Sequence, residues 1–272
     1  MKRIFATVLA SALGVSGAWA QEMKLAVTAS FQNSGLGDIL LPAIKEDLGI
    51  EVQLLVVDTG QAVKLGEAGE VDAILVHSRP AEDEFLANGH GTHRREIMYS
   101  DFVFIGPGGD PADVKFAAGA TDVLTRIANT KAPFVSRGDD SGTHEKELSL
   151  WKTADLDAAG FGDWYHNVGA DLGTALDAAS GMDAYIIADR ASWLNFANKG
   201  GLELLYYGDP VLFNQYAFVP VNPEKHPHVR NDLANKLEEW LVADRARGLI
   251  NDYEINGETL FVFNAVAAQA VQ

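Results

Sequence analysis

Cysteine is absent from this chain of 272 residues, which excludes disulfides, thiol chemistry and metal sites built on cysteine. A protein of this length needs no disulfides, because its core is large enough without them. Basic residues are scarce as well: 21 Lys and Arg stand against 38 Asp and Glu, giving a formal net charge of −17. A surface that binds duplex nucleic acid needs a basic stripe to displace counterions, so nucleic acid is a poor partner.

Apolar runs long enough to span a bilayer are also lacking, and the first 20 residues carry a different signal. Lys2 and Arg3 precede an apolar run from Ile4, which ends at Ala18-Trp19-Ala20. This is the pattern of a secretory signal peptide. We expect cleavage after Ala20 and export of 252 residues, since 20 of the 272 are removed. The loss of two basic residues changes the formal charge from −17 to −19. So acidic a chain repels small anions at long range, and an anion site would need local attraction.

The mature chain alternates apolar strands with amphipathic helices. Strands are predicted at 25–29, 51–57, 71–77, 102–109, 134–135, 183–189, 202–207 and 216–222. Helices are predicted at 35–48, 61–66, within 114–130, and at 142–151, 173–180 and 231–241. The alternation predicts an α/β fold with a mostly parallel sheet flanked by helices. Such sheets bind ligands at the carboxyl ends of their strands, and two lobes of this kind face to face would form a cleft.

Two regions are candidates for the chain's crossing between lobes. The first is the glycine-rich turn after Phe104-Ile105, and the second is the region 206–216. Lobe I is therefore predicted to hold residues 21–104 and about 217–272, and lobe II residues 105–216.

Three strand-to-helix turns share one design, in which small hydroxyl residues or glycine precede a helix. They read AVTASFQNSG from Ala26, VVDTGQAV from Val56 and FVSRGDDSGTHEKE from Phe134. Unpaired amides and partial positive charge at a helix N-terminus suit an oxyanion, and hydroxyls add neutral donors. The alternative is that each turn only caps its helix. Arg137 would add a charged planar fork to an anion site, or else pair with Asp139 or Asp140 at the surface.

Other residue patterns are weaker signals of a catalytic or metal-binding site. Asp140, Ser141 and His144 contain the residue types of a hydrolase triad, but no G-x-S-x-G elbow accompanies them. The pairs His90/His93 and His226/His228 lack a clear third ligand, so we interpret them as solvated loop histidines and expect no metal site.

The chain resembles the periplasmic tungstate-binding proteins of ABC importers. The similarity covers most of the mature chain and is carried by AVTASFQNSGLGDILLP, VVDTGQAVKLGEAGEVDAILVHS, YSDFVFIGP, SRGDDSGTHEKELSLW, AYIIADRASWL, GDPVLFNQYAFVPVNPEKHP and INGETLFV. The resemblance implies a two-lobed periplasmic binding protein of the type II, molybdate-binding kind. It would be a monomer without cofactor or enzymatic activity, which captures tungstate, or also molybdate, and delivers it to a membrane permease. Sulfate or another anion stays open as the ligand, and an exported serine hydrolase is a second alternative.

The resemblance also implies which residues bind the anion. They are Thr28, Ala29 and Ser30 of the first turn, Thr59 and Gly60 of the second, Arg137 and Thr143 of the third, and Gly173 through its backbone. The family usually has Thr-Thr-Thr-Ser where this chain has Val27-Thr28-Ala29-Ser30. Two family hydroxyls are therefore missing here.

Overall fold

The computed structural model of this chain describes residues 21–139 and 141–265. The predicted signal peptide, its cleavage site after Ala20, and Asp140 lie outside the described residues.

Strands make up the centre of each half of the molecule. Their bounds are β1 Gln21–Thr28, β2 Ile50–Val57, β3 Ala73–Val76, β4 Arg95–Pro107, β5 Phe134–Ser136, β6 Tyr165–Asn167, β7 Tyr185–Asp189, β8 Leu202–Tyr206, β9 Phe213–Pro220, β10 Glu254–Ile255, β11 Glu258–Thr259 and β12 Val262–Phe263. Within the described ranges, ten of these strands form one sheet in the order β2-β1-β3-β9-β4-β7-β5-β6, with β8 and β12 also paired to β4. The small strands β10 and β11 pair separately.

Helices connect the strands and cover the sheet. Their bounds are α1 Ala29–Ser34, α2 Leu36–Leu48, α3 Thr59–Ala68, α4 Arg79–Ala87, α5 Ala120–Thr130, α6 Gly142–Thr153, α7 Leu172–Met182, α8 Arg190–Asn195, α9 Asn231–Leu241 and α10 Asp244–Asn251. The predicted stop of α2 is confirmed at Gly49, whose φ of 66° gives the left-handed C-cap and whose amide donates to the Lys45 carbonyl at 3.0 Å. Pro42 lies inside this helix.

The sheet is mixed, with its parallel parts at the two ends. β1 runs parallel to β2 and β3, and β5 runs parallel to β6 and β7. The long strand β4 and strand β9 lie between these groups and run antiparallel to their neighbours. The predicted two-lobed α/β fold is confirmed, but the sheet is mixed and not mostly parallel as predicted, because β4 and β9 run antiparallel to their neighbours. The alternation of elements does not reveal this direction.

Strand β4 belongs to both halves of the sheet. Residues 95–101 of β4 pair with β9, whereas Phe102–Ile105 pair with β7. We call the β2-β1-β3-β9 side with residues 95–101 lobe I, and the β7-β5-β6 side with β8 and residues 102–107 lobe II. The strand partners change at Asp101/Phe102 and again between β8 and β9, after Tyr206 and before Phe213. The predicted boundaries at 104 and 216 lie close to both changes, and the division of the chain into lobes stays a prediction.

Each half of the sheet is buried on both faces, as the apolar strands predict. In lobe I, Leu25 and Val27 pack in one core cluster while Ala26 packs in the cluster on the other face. In lobe II, Phe102 and Phe104 face one cluster, whereas Val103 and Ile105 face the other. Successive residues point to opposite faces because the side-chain period of a strand is two. Two packed faces hold each strand end rigidly at the cleft.

Elements with sparse apolar patterns were not predicted. They are the helices α1, α4, α8 and α10, the short strands β6, β10, β11 and β12, and the first half of β4. Helix α4 buries Phe85 and Glu82, and Arg94 pairs with that buried carboxylate. The Arg94–Glu82 ion pair therefore contributes to the burial of α4, whose sequence lacks the regular apolar spacing that predicts a buried helix face. Over residues 21–139 and 141–265, no helix has the length and apolar character needed to cross a membrane.

Candidate oxyanion site

The carboxyl ends of strands from both lobes meet at one small cavity of about 260 Å³ of empty space. The three hydroxyl-rich turns come together here, as predicted. The lining residues are Thr28, Ala29, Ser30, Asp58, Thr59 and His77 from lobe I, and Arg137, Ser141, Gly142 and Thr143 from lobe II. A space of this size suits a compact solute better than an extended one.

The turns differ in whether they cap their helices. Ser141 accepts the His144 amide at 3.3 Å and so caps α6. Thr28 and Asp58 occupy the cap positions of α1 and α3 but make no side-chain cap bond within the described residues. Helix α3 therefore begins with amides that no capping side chain satisfies, and its partial positive charge faces the cavity. Simple capping explains only the α6 turn.

The hydroxyl of Ser30 is the centre of a hydrogen-bond network on the lobe I wall. It lies 2.9 Å from Thr28 Oγ1 and 3.1 Å from His77 Nε2, and Tyr216 donates to it at 3.0 Å. One assignment satisfies all three contacts: Thr28 and Tyr216 donate to Ser30, and Ser30 donates to His77 Nε2. That assignment leaves the proton of the imidazole on Nδ1.

His77 is a neutral ring in this wall. Burial lowers its pKa from the usual value of 6.5 to about 4, and the positive fields of Lys146 and Arg137 act in the same direction. The ring lies 5.0 Å from that of Tyr216, centroid to centroid. His77 can therefore act as a hydrogen-bond donor at neutral pH without adding a charge.

Arg137 is buried, with 8% of its surface exposed, and is paired at the same time. Its Nη2 lies 2.5 Å from Asp139 Oδ2, and Asp139 Oδ1 accepts the Ser141 hydroxyl at 2.6 Å. Asp139 thus turns to pair and to hold the α6 turn, as expected from the repulsion that a ligand-facing carboxylate would cause. The Arg137–Asp139 pair carries no net charge, so Arg137 contributes directed hydrogen-bond donors more than positive charge.

Three polar atoms in the lining are buried without a hydrogen-bond partner among the described residues. They are Thr59 Oγ1, His77 Nδ1 and Arg137 Nε. A buried polar group left unpaired costs about 1–3 kcal/mol, and such groups are rare in folded proteins. The three atoms can all donate, and they come from three different turns. A compact hydrogen-bond acceptor in the cavity would satisfy all three atoms.

Two of the predicted site residues do not line this cavity. Gly60 follows Thr59 in the first turn of α3 and is exposed. Gly173 lines a separate cavity between α1, α7 and α8. Its amide is directed to Asp171, which also caps α7 by accepting the Thr174 amide at 3.1 Å. Their roles stay predictions.

The departure from the family's hydroxyl motif has a small geometric effect. The Val27 side chain is fully buried in the lobe I core and is not part of the cavity lining. Ala29 does line the cavity, where it can contribute only its backbone. A valine at position 27 therefore removes no donor from the cavity in this fold.

The hydrolase constellation is not assembled in the described residues. The Ser141 hydroxyl donates to Asp139, and His144 contacts Ser141 through its backbone amide. The His144 ring lies against the Asp139 carbonyl. Among the described residues, the His144 imidazole is therefore not placed to activate the serine. Nor does any group of three or more His, Asp or Glu in residues 21–139 and 141–265 have the spacing to hold a metal ion.

Four residues important to this site were missed from the sequence: His77, Gly142, Asp58 and Tyr216. His77 directly follows β3, so the rule that ligands bind at the carboxyl ends of strands could have found it. Tyr216 lies within β9, and nothing in its local sequence connects it with Ser30, 186 positions away.

A family model described as a PBP superfamily domain matches residues 15–245. The chain belongs to the PBP superfamily. A PBP relative from Peptoclostridium acidaminophilum, named tungstate-binding protein TupA, is 43% identical over 89% of this chain and 85% of its own length. The solved tungstate-binding protein TupA from Desulfovibrio alaskensis G20 superposes with a TM-score of 0.84 and 39% identity, over 91% of this chain and all of that one. The crystal structure described as the tungstate ABC transporter from Geobacter sulfurreducens gives a TM-score of 0.78 and 43% identity, over 85% of this chain and 98% of that one.

The buried His77 should make stability depend on pH. Its pKa of about 4 in the folded chain lies below the usual histidine value of 6.5, so between these pH values the unfolded chain binds more protons. Stability is then full above pH 6.5 and falls as the pH drops toward 4. We expect His77→Gln to reduce the loss of unfolding free energy between pH 7 and pH 5 by about 2 kcal/mol. Urea titrations of both proteins at the two pH values measure it.

A direct readout separates this effect from repacking. The His77 ring resonance, followed by NMR in the ligand-free protein, should keep its neutral shift down to pH 5. Titration of this ring with a midpoint above pH 6 would contradict the prediction.

Proposed function

We propose that this protein is an extracytoplasmic solute-binding protein that captures tungstate, or also molybdate, between its lobes and delivers it to an ABC permease. The observation that carries the proposal is the set of three unpartnered donors, Thr59 Oγ1, His77 Nδ1 and Arg137 Nε, around one buried cavity. The relatives that bind tungstate support the choice of ligand. The proposal includes export by the predicted signal peptide, a periplasmic location and a monomeric state.

The chemistry of the lining fits a tetrahedral dianion. Its oxygens are acceptors only, so each needs a donor once water is excluded. Hydroxyls, a neutral imidazole, the α3 amides and one guanidinium supply donors. The remaining positive charge comes from helix termini, since Arg137 is already paired with Asp139. Selection against sulfate would follow from the size of the cavity and the placement of the donors.

Calorimetric titration with tungstate, molybdate and sulfate tests the proposal. We expect tight binding of tungstate and weaker or undetectable binding of sulfate. Tight binding of sulfate alone would favour the alternative of a sulfate-binding protein. Absence of heat with all of these anions, confirmed by an unchanged melting temperature, would exclude an oxyanion function.

Arg137→Gln should weaken tungstate binding by about tenfold or more, because it removes a charge-assisted donor from a buried site and leaves Asp139 unpaired. Arg126→Gln is the matched control: Arg126 pairs with Asp122 at 3.0 Å on the α5 helix of the same lobe. Calorimetry on both variants gives the comparison. Equal affinities would show that Arg137 has no part in binding.

Gly142→Ala should weaken tungstate binding by obstructing closure of the lobes. A Cβ atom at Gly142 would lie 2.6 Å from Cε1 and 3.0 Å from Nδ1 of His77, across the cleft. Overpacking of this kind costs about 1–3 kcal/mol, which corresponds to a loss of about tenfold in affinity. Since alanine favours a helix over glycine, the unfolding free energy of the unliganded protein should not fall.

The control is Gly181→Ala in α7, where a Cβ atom would meet nothing within 4 Å. Calorimetry measures affinity and urea titration measures stability for both variants. If Gly142→Ala bound tungstate as tightly as Gly181→Ala, the contact between Gly142 and His77 would not limit closure.

A further inference from the structure

A second, larger cavity opens beside the oxyanion site. It holds about 750 Å³ of empty space and is lined by both lobes. His77 and Gly142 form part of its wall and part of the wall of the smaller cavity. We call the larger cavity the vestibule, defined by Arg79, Arg94, Phe102, Glu145, Lys146 and Asn214 beside these two shared residues. A solute in the vestibule is therefore separated from the oxyanion site by the wall that His77 and Gly142 form.

Lys146 is the uncompensated cation of the vestibule. Arg79 pairs with Asp83, and Arg94 pairs with Glu82 and Glu96. Lys146, by contrast, donates to the Val211 carbonyl at 2.9 Å and lies 5.8 Å from the centre of the Phe102 ring, both neutral groups. Among the described residues, no carboxylate lies within ion-pair distance of it. The neighbouring carboxylate of Glu145 is turned to Ser78, which donates to it at 3.1 Å.

The field of Lys146 extends to the oxyanion site. It disfavours a positive charge on His77, in the same way as Arg137 and more strongly. Lys146 is half-buried, and burial lowers its own pKa, so its charge is less screened by water than that of a surface lysine. Arg137 is already paired with Asp139, so Lys146 is the cation on this side of the site that no ion pair within the described residues balances. The Glu145 carboxylate, which also lines the vestibule, has no ion-pair partner among the described residues either.

Asn214 adds a second observation that points to a ligand. It is 2% exposed, and its Nδ2 has no hydrogen-bond partner within the described residues. An amide nitrogen buried in this way is an unused donor. The vestibule therefore combines an unpaired cation with an unpaired donor, and both suit an anion.

We propose that the vestibule is an access subsite, in which Lys146 and Asn214 receive the oxyanion before it passes His77 and Gly142 into the closed site. The inference rests on the function proposed above. It addresses a difficulty of charge: with a formal net charge of −17, or −19 after the expected cleavage, the protein repels an approaching dianion, and a local cation acts against that repulsion within the Debye length of about 10 Å. The chemical class recognised is a small oxyanion.

Lys146→Gln tests the proposal through the association rate of tungstate, measured by stopped-flow tryptophan fluorescence. Its control is Lys152→Gln, which removes the same charge from the exposed side of the same helix α6. At low ionic strength we expect Lys146→Gln to lower the association rate constant by about threefold or more relative to Lys152→Gln. The difference should shrink at about 0.5 M salt, because screening removes the steering field.

Asn214→Leu, which keeps the shape of the side chain and removes the donor, should lower the association rate with little change in its dependence on salt. Equal association rates for Lys146→Gln and Lys152→Gln would overturn the access subsite, whatever the dissociation rates. That result differs from failure of the proposed function, in which the unaltered protein itself binds no tungstate in calorimetry.

Discussion

Buried donors that find no acceptor among residues 21–139 and 141–265 are the constraint on which this structure depends. Thr59 Oγ1, His77 Nδ1 and Arg137 Nε face one cavity between the lobes. Each would be costly if it stayed unpaired in a dry site, and each becomes favourable once an acceptor enters. The lobes therefore stabilise each other best around an acceptor-rich solute. A closed cleft and a bound oxyanion are two aspects of the same hydrogen-bond requirement.

The charges around the cavity are arranged so that no strong positive centre is needed. His77 is neutral because burial lowers its pKa, and the Arg137 guanidinium is balanced by Asp139. Hydrogen-bond donors held rigidly by strands and helices supply most of the contacts to a ligand, and rigid donors lose little entropy when a ligand binds. Such a site discriminates by the distances between its donors. The vestibule adds a local cation, Lys146, which has no carboxylate partner among the described residues.

The topology shows which segments of the chain connect the two lobes beside the cleft. β4 runs through both halves of the sheet, and the chain returns to lobe I between β8 and β9. Arg190 holds this crossing by a two-point contact with Asp101 at 2.7 and 2.6 Å, and its guanidinium lies 4.7 Å from the Tyr207 ring. These crossing segments are where we expect the lobes to move relative to each other. Gly142 lies against His77 so closely that an added Cβ atom would be 2.6 Å from the His77 Cε1 atom.

Local patterns in the sequence determined the α/β fold, the positions of the main strands and the three turns that meet at the cavity, because apolar periodicity and turn chemistry act over a few residues. They also singled out Thr28, Ser30, Thr59 and Arg137, whereas Thr143 was implied by the family resemblance. They did not reveal that β4 and β9 run antiparallel, that His77 and Tyr216 complete the wall around Ser30, or that Gly173 lines another cavity. Those facts were decided by tertiary structure. Strand order sets which chain ends become neighbours, and burial sets whether a histidine is charged, so both depend on residues far away in sequence.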